Sequence, residues 1–141
     1  MRSGPQGGFN HRFGLFDAVL INGNHIAAAG SVSAAIERAR AATGHFEKIE
    51  VEVDTLDRLE EALQHTVDAV LLNNMAVPEL KNAVARAKSL RPGILCEASG
   101  GIRVVTVRAI AETGVDMISV GTLTHSVKSL DVGLDAAVQT V

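Results

Sequence analysis

Five short apolar runs, with segments of helical period between them, constrain this chain more than any other feature of its sequence. The runs are Asp17–Asn22, Lys48–Val53, Ala69–Asn74, Gly93–Ala98 and Met117–Thr122. Each has the length and the β-branched or leucine content of a strand. Between them, Ser33–Thr43 gathers Ala35, Ile36, Ala39 and Ala42 on one helical face, and Gly44 is placed to stop it. Thr55–His65 does the same with Leu56, Leu59, Ala62 and Leu63. Pro78 suits the first turn of a helix that buries Leu80, Val84 and Ala87. Val104–Thr113 carries Val107, Ile110 and Ala111 ahead of Gly114. Strand and helix alternating at a spacing of roughly 21–30 residues predict a parallel sheet with right-handed crossovers and helices outside. Such a sheet either stays open and doubly wound or forms part of a β/α barrel. Five strands do not close a regular eight-stranded barrel, so the barrel reading is an incomplete one whose open edges need cover.

Composition narrows the classes. The chain has 141 residues, 47% hydrophobic and 21% charged, with a net charge of −3. That is enough for one domain with a real core. There is no clustered basic footprint, so a nucleic-acid partner is not expected. Nor does any apolar run approach the ~18 residues of a membrane span. The start, Met1–Gly8, has no hydrophobic segment of the kind a secretory signal carries. Residues 1–8 are expected to be a flexible segment and 9–141 the partial barrel domain. Cys96 is the one cysteine and cannot form an internal disulfide, which favours a cytoplasmic location. With four Phe and no Trp or Tyr, the core must be aliphatic.

One strand carries charge. In Lys48–Asp54, alternation sets Lys48, Glu50, Glu52 and Asp54 on one face and Ile49, Val51 and Val53 on the other. Strands in helix-covered parallel sheets normally read as continuous apolar runs. The charged face therefore belongs either to an exposed edge strand or to a barrel interior that serves a ligand. Lys48 is expected to sit among the acids and offset their repulsion.

Ligands bind at the carboxyl ends of strands in parallel α/β folds. That rule selects Asn22, Glu52, Asn73, Ser99 and Gly121 with the loops that follow them. The strongest local signal is Glu97–Ile102 (EASGGI), read as a strand end that opens a helix. Its two glycines, Gly100 and Gly101, let backbone N–H groups approach an anion. Ser119-Val120-Gly121, followed by Thr122 and His125, would add a second loop to the same phosphate site; ordinary glycine turns are the plainer alternative. His11, His25, His45, His65 and His125 show no metal-ligand spacing. His45 and His65 are expected to be solvated. His11 and Arg12, in a glycine-containing loop, either lie on the surface or bind a carboxylate or phosphate through the guanidinium fork.

Four stretches together, Asn10–Asp17 (NHRFGLFD), Lys48–Asp54 (KIEVEVD), Glu97–Ile102 and Ile118–Lys128 (ISVGTLTHSVK), resemble the quinolinate phosphoribosyltransferases in order and spacing. The resemblance runs from about Gly7 to Leu134. It implies an α/β fold, a parallel β/α barrel of the phosphoribosyltransferase type with about five βα units present. It implies conversion of quinolinate and phosphoribosyl pyrophosphate to nicotinate mononucleotide, pyrophosphate and carbon dioxide, a step of NAD biosynthesis that requires Mg²⁺. It also implies a dimer or other homo-oligomer. By resemblance, His11 and Arg12 would hold quinolinate carboxylates. Glu52 would face the ribose hydroxyls and, indirectly, the metal. Ser99, Gly100, Gly101, Gly121 and His125 would surround a phosphate.

The departures fall on charged positions. Where the family usually reads L-I-K-D-N-H, this chain has Leu20-Ile21-Asn22-Gly23-Asn24-His25, so Asn22 replaces a lysine and Gly23 an aspartate. Where it usually reads L-D-N-M, this chain has Leu72-Asn73-Asn74-Met75, so Asn73 replaces an aspartate. The family's N-terminal domain and first barrel strands have no counterpart here. The resemblance thus implies catalytic positions at Glu52, Asn22 and Asn73, two of them altered, and the chain alone is expected to be weak or inactive. The alternative is a non-catalytic barrel remnant that binds phosphate-bearing ligands or pairs with other subunits. A different phosphate-binding barrel enzyme finds no support, because no strand-end lysine is set for a Schiff base.

Overall fold

The computed structural model describes residues 2–3, 8–126, 129, 130 and 132. Its elements in chain order are β1 (Arg2–Ser3), β2 (Gly8–Phe9), β3 (Val19–Ile21), α1 (Gly23–Ala29), α2 (Val32–Ala42) and β4 (Ile49–Val53). There follow α3 (Leu56–Leu63), β5 (Ala69–Asn73), α4 (Val77–Leu90), β6 (Leu95–Ser99), α5 (Val107–Ala111), β7 (Met117–Ile118) and α6 (Thr122–His125). β1 and β2 pair antiparallel, with Arg2 opposite Phe9 and Ser3 opposite Gly8.

The main sheet has the order β3-β4-β5-β6-β7, and every pairing in it is parallel. A doubly wound sheet reverses its strand order at a switch point. This one runs in sequence order throughout, as an unclosed arc of a β/α barrel does. β4 pairs with β3 on one side and β5 on the other, so its charged face is not that of an edge strand.

Alternation on β4 sorts its residues. Ile49, Val51 and Val53 are buried, while Glu50 and Glu52 are partly exposed. The apolar set meets the helices: Leu59 of α3, Leu80 of α4, Val70, Leu72 and Cys96 all lie in the same core. Burying one such aliphatic side chain stabilises by about 1.5–3 kcal/mol, and this layer holds the arc together. The opposite face carries Glu50, Glu52, Leu71, Asn73, Glu97 and Ser99, because register sets Glu50 beside Ala69, Glu52 beside Leu71, and Leu71 beside Glu97.

At the amino ends of the strands a repeated device fixes register. Asp68, just before β5, accepts the Ile49 N–H of β4 at 2.9 Å, and Asp116, just before β7, accepts the Cys96 N–H of β6 at 2.8 Å. Lys88 donates to both Asp116 and the Ile94 carbonyl at 2.6 Å, and Arg91 donates to the His65 carbonyl. Lys48 belongs to this end. It is exposed and lines a cavity with Asp68, Arg91 and Leu95, rather than standing among the acids. It lies ahead of the first paired residue, so strand alternation does not direct it.

Other expectations shift. The first strand is Val19–Ile21, shorter than Asp17–Asn22, because Asp17 is drawn off to accept the Phe13 N–H at 2.7 Å. Asn22 turns into a helix cap. The run Met117–Thr122 holds only a two-residue strand, and Thr122 begins α6. Thr43, not Gly44, caps α2 in an extended conformation. His65 is half-buried, its Nε2 within 2.8 Å of Ser33 Oγ. The helix expected from Val104 starts at Val107, because Thr106 Oγ1 accepts the Arg103 N–H at 3.0 Å and closes a turn there. The glycines after β6 therefore lead into a loop and receive no helix dipole.

Candidate functional site

The carboxyl ends of the strands gather two polar layers on the inner face. The deeper layer centres on Glu97, 3% exposed on β6. His11 Nε2 lies 3.2 Å from Glu50 Oε2 and 3.3 Å from Glu97 Oε1, so one edge of the imidazole sits between two carboxylates. Ser119 Oγ donates to Glu97 Oε1 from the loop after β7. Glu50 Oε1 is buried with no hydrogen-bond partner. Burial first, then the neighbouring Glu97 charge and a hydrogen bond to it, push the Glu50 carboxyl up to about 7, against a partial offset from Arg12. Two adjacent acids out of water hold one proton between them more readily than two negative charges. With His11, they also form a set of ligand atoms all within 4.8 Å of one another.

The outer layer begins two residues further along β4. Asn73 Nδ2 donates to Glu52 Oε1 at 2.9 Å. An ionised aspartate at position 73 has no such hydrogen to give, so the amide turns a repulsive acid pair into a hydrogen-bonded one. Asn73 pairs with Ser99, and past that rung the chain enters Gly100 and Gly101, with φ +90 and +61. These are left-handed conformations that glycine reaches at little cost. The following loop brings Gly121, whose added Cβ would lie 2.9 Å from His125 Nε2. The imidazole thus folds over Gly121, and adjacent strands β6 and β7 set these two loops side by side.

The residues expected to act divide accordingly. Glu52, Asn73, Ser99, Gly100, Gly101, Gly121 and His125 all stand at the carboxyl end of the sheet or in its loops. His11 reaches the inner face across the strands. Arg12 is part-buried, with Nη1 donating to the Ala18 carbonyl at 3.0 Å, so part of its guanidinium pins the loop to the start of β3. Asn22 does not face the acids. Its Oδ1 accepts the His25 N–H at 3.1 Å, while His25 Nδ1 accepts the Asn22 N–H at 3.1 Å, a capping box at the start of α1. A lysine there could not accept that bond. Lys128, part of the last matching stretch, lies outside the described residues. Glu50 and Glu97 were not singled out by sequence reasoning as site residues, and Ser119, expected beside the phosphate loop, instead bonds Glu97. Glu50 shares the alternating face with Glu52, and that periodicity was the available signal.

Comparison with known proteins gives this geometry a family. The chain is 46% identical over 129 residues to a probable nicotinate-nucleotide pyrophosphorylase [carboxylating] of Bacillus subtilis, covering 92% of this chain and 44% of that protein. A Mycobacterium leprae nicotinate-nucleotide pyrophosphorylase [carboxylating] is also 46% identical, with 92% and 45% covered. The crystal structure of NadC from Streptococcus pyogenes superposes with a TM-score of 0.79 at 42% identity, over 89% of this chain and 43% of that one. The chain thus spans just under half the length of the curated relatives it matches. Residues 3–135 match the family described as quinolinate phosphoribosyl transferase, C-terminal domain, and with the arc of parallel strands and the polar layers at their carboxyl ends, the chain belongs to that family.

Proposed function

We propose that this chain is the C-terminal barrel portion of a quinolinate phosphoribosyltransferase, acting on quinolinate and phosphoribosyl pyrophosphate to form nicotinate mononucleotide, pyrophosphate and carbon dioxide. The observation that carries the reading is the convergence of His11, Glu52 and the Gly100–Gly101 turn on one end of a parallel sheet. The chemistry asks for positioning and charge stabilisation more than for covalent catalysis. His11 Nδ1 and the unused donors of Arg12 would take the quinolinate carboxylates. Glu52 Oε2, left over from the bond to Asn73, would accept from a ribose hydroxyl and stabilise positive charge developing on the sugar. The N–H groups after Ser99 and around Gly121 would receive the phosphate, with His125 beside them.

The donor set fits Mg²⁺ in a limited way. Mg²⁺ is commonly held by one or two carboxylates with the rest of its shell from phosphates and water, and Glu52 supplies one carboxylate while Asn73 offers a neutral carbonyl oxygen. When bound with pyrophosphate, the metal would neutralise charge on the leaving group. Asn22 and Asn73 remove charges of opposite sign at different ligands, so neither compensates for the other. Loss of one partner of a buried charge pair costs about 2–5 kcal/mol, enough to leave the chain by itself without appreciable turnover. Homo-oligomerisation would cover the free edges of β3 and β7. Among the described residues no helix is long and apolar enough to cross a membrane, and a free buried Cys96 suits a reducing cytoplasm.

A second reading is a non-catalytic remnant that retains phosphate binding. It is favoured by the capping role of Asn22, which commits that residue to α1. Titration with nicotinate mononucleotide, followed by backbone amide shifts with sulfate as competitor, tests the binding shared by both readings. Shifts at Ser99, Gly100, Gly101 and Gly121 are expected, and Gly100→Val should abolish them. Shifts confined to the His11–Arg12 loop would refute the phosphate site. Product assays on the chain alone and with an intact relative added then separate the readings: turnover that needs the added protein and is lost with Glu52→Gln supports the enzyme, and none supports the remnant.

A further inference from the structure

We propose that Asn74 is a positioning residue whose side chain, seated over Gly100, holds the Gly100–Gly101 turn in the shape that presents its N–H groups to a phosphate. The inference rests on the phosphate reading of that turn and extends it to a residue outside the turn itself.

Three observations converge. Asn74 is the non-glycine residue with positive φ, 56°, among the described residues. L-residues avoid this region, and asparagine is among the few that tolerate it. Second, the Asn74 N–H donates to the Ser99 carbonyl at 2.9 Å and closes the last sheet rung, Asn73 opposite Ser99. The ends of β5 and β6 are thereby tied just where the glycine turn departs. Third, the side chain fills the space beside both glycines. A Cβ at Gly100 would overlap Asn74 Oδ1 and come within 2.6 Å of Asn74 Cγ and 2.7 Å of Asn73 Oδ1, while one at Gly101 would lie 3.9 Å from Asn74 Oδ1.

Nothing in the core needs this side chain. Asn74 is exposed, and its amide makes no side-chain hydrogen bond among those of the described residues. A strained, exposed residue without a packing role is retained where the surrounding geometry uses it. Here that use is steric. Gly100 and Gly101 are free to adopt many conformations, and an anion site made of backbone N–H groups binds well only if those groups are already aimed. Asn74 restricts that freedom from one side.

Asn74→Gly separates the two contributions, since glycine keeps the left-handed bend and its N–H bond but deletes the clamp. Measurements on the chain are ¹⁵N relaxation at Gly100 and Gly101, the dissociation constant for inorganic phosphate, and the melting midpoint. In Asn74→Gly the order parameters of both glycines should fall from about 0.85 toward 0.6. Phosphate affinity should drop on the order of tenfold, with the midpoint unchanged. Rigid glycines with unaltered affinity would overturn the proposal. Asn74→Asp keeps shape and backbone tolerance, so the glycines should stay rigid while phosphate is repelled by the new charge. Mobile glycines in Asn74→Asp would count against a steric clamp. If the unaltered chain binds no phosphate, the phosphate reading itself fails, and the relaxation comparison still decides whether Asn74 orders the turn.

Discussion

Replacing Glu50 with glutamine should stabilise the chain at alkaline pH and flatten its dependence on pH. Burial and the Glu97 charge raise the Glu50 carboxyl from its ordinary value of 4.5 to about 7. A carboxyl with a folded pKa above its unfolded value binds more proton in the folded state. Its contribution to stability is therefore complete below about 4.5 and lost as pH rises through about 7. At about 1.4 kcal/mol for each tenfold change in acidity, that difference amounts to about 3 kcal/mol. Water reaches part of the side chain and Arg12 lies near, so screening reduces it to about 1–2 kcal/mol. Glutamine keeps the size and shape of the protonated acid beside Glu97 and His11 but cannot ionise. Urea unfolding at intervals between pH 5 and 8 should show the original chain losing about 1–2 kcal/mol across that range. Glu50→Gln should lose little, and at pH 8 it should melt roughly 3–8 °C higher. Parallel stability curves for the two proteins, or a less stable variant at pH 8, would refute the shared-proton account of the deeper layer.

The arc was legible in the sequence because hydrophobic period alternates between strand and helix along it, from Val19–Ile21 to Met117–Ile118. What periodicity could not show was α1. Gly23–Ala29 holds one buried residue, Ile26, and its start depends on the reciprocal bonds of Asn22 and His25. Those are side-chain geometries, which hydrophobic period does not encode. The site was half legible for a related reason. Alternation set Glu50 and Glu52 on one face, but Glu50 gains its role from Glu97 and His11, which lie 47 and 39 residues away in the chain and meet it only across strands. Lys48 was misplaced by extending strand alternation one residue ahead of Ile49, where pairing begins. The helix after Ser99 was misplaced because Val104 and Val105 continue an apolar pattern yet are exposed in the loop.

Asn22→Ala should lower stability by about 1 kcal/mol through loss of the α1 cap while leaving phosphate binding at Gly100 unchanged; denaturant midpoints and the phosphate titration read the two effects. Light scattering coupled to size exclusion should find the chain associated, since β3 and β7 present unpaired edges; a monomer near 15 kDa with a cooperative melt would count against this. Asn73→Asp carries the sharpest consequence. It deletes the donor that satisfies Glu52 Oε1 at 2.9 Å and sets a second negative charge in its place. Loss of a hydrogen bond and gain of like-charge repulsion should cost about 1–3 kcal/mol at pH 8. The loss should shrink toward pH 5, where one of the two acids can take a proton. The same change builds a pair of carboxylates suited to a hard divalent cation. Saturating Mg²⁺ should therefore raise the melting midpoint of Asn73→Asp at pH 8 and leave the original chain nearly unmoved. If Asn73→Asp is as stable as the original chain without metal, the amide at position 73 is not what relieves Glu52. If Mg²⁺ stabilises both proteins equally, the original chain already holds the cation, and the charge lost at Asn73 does not limit it.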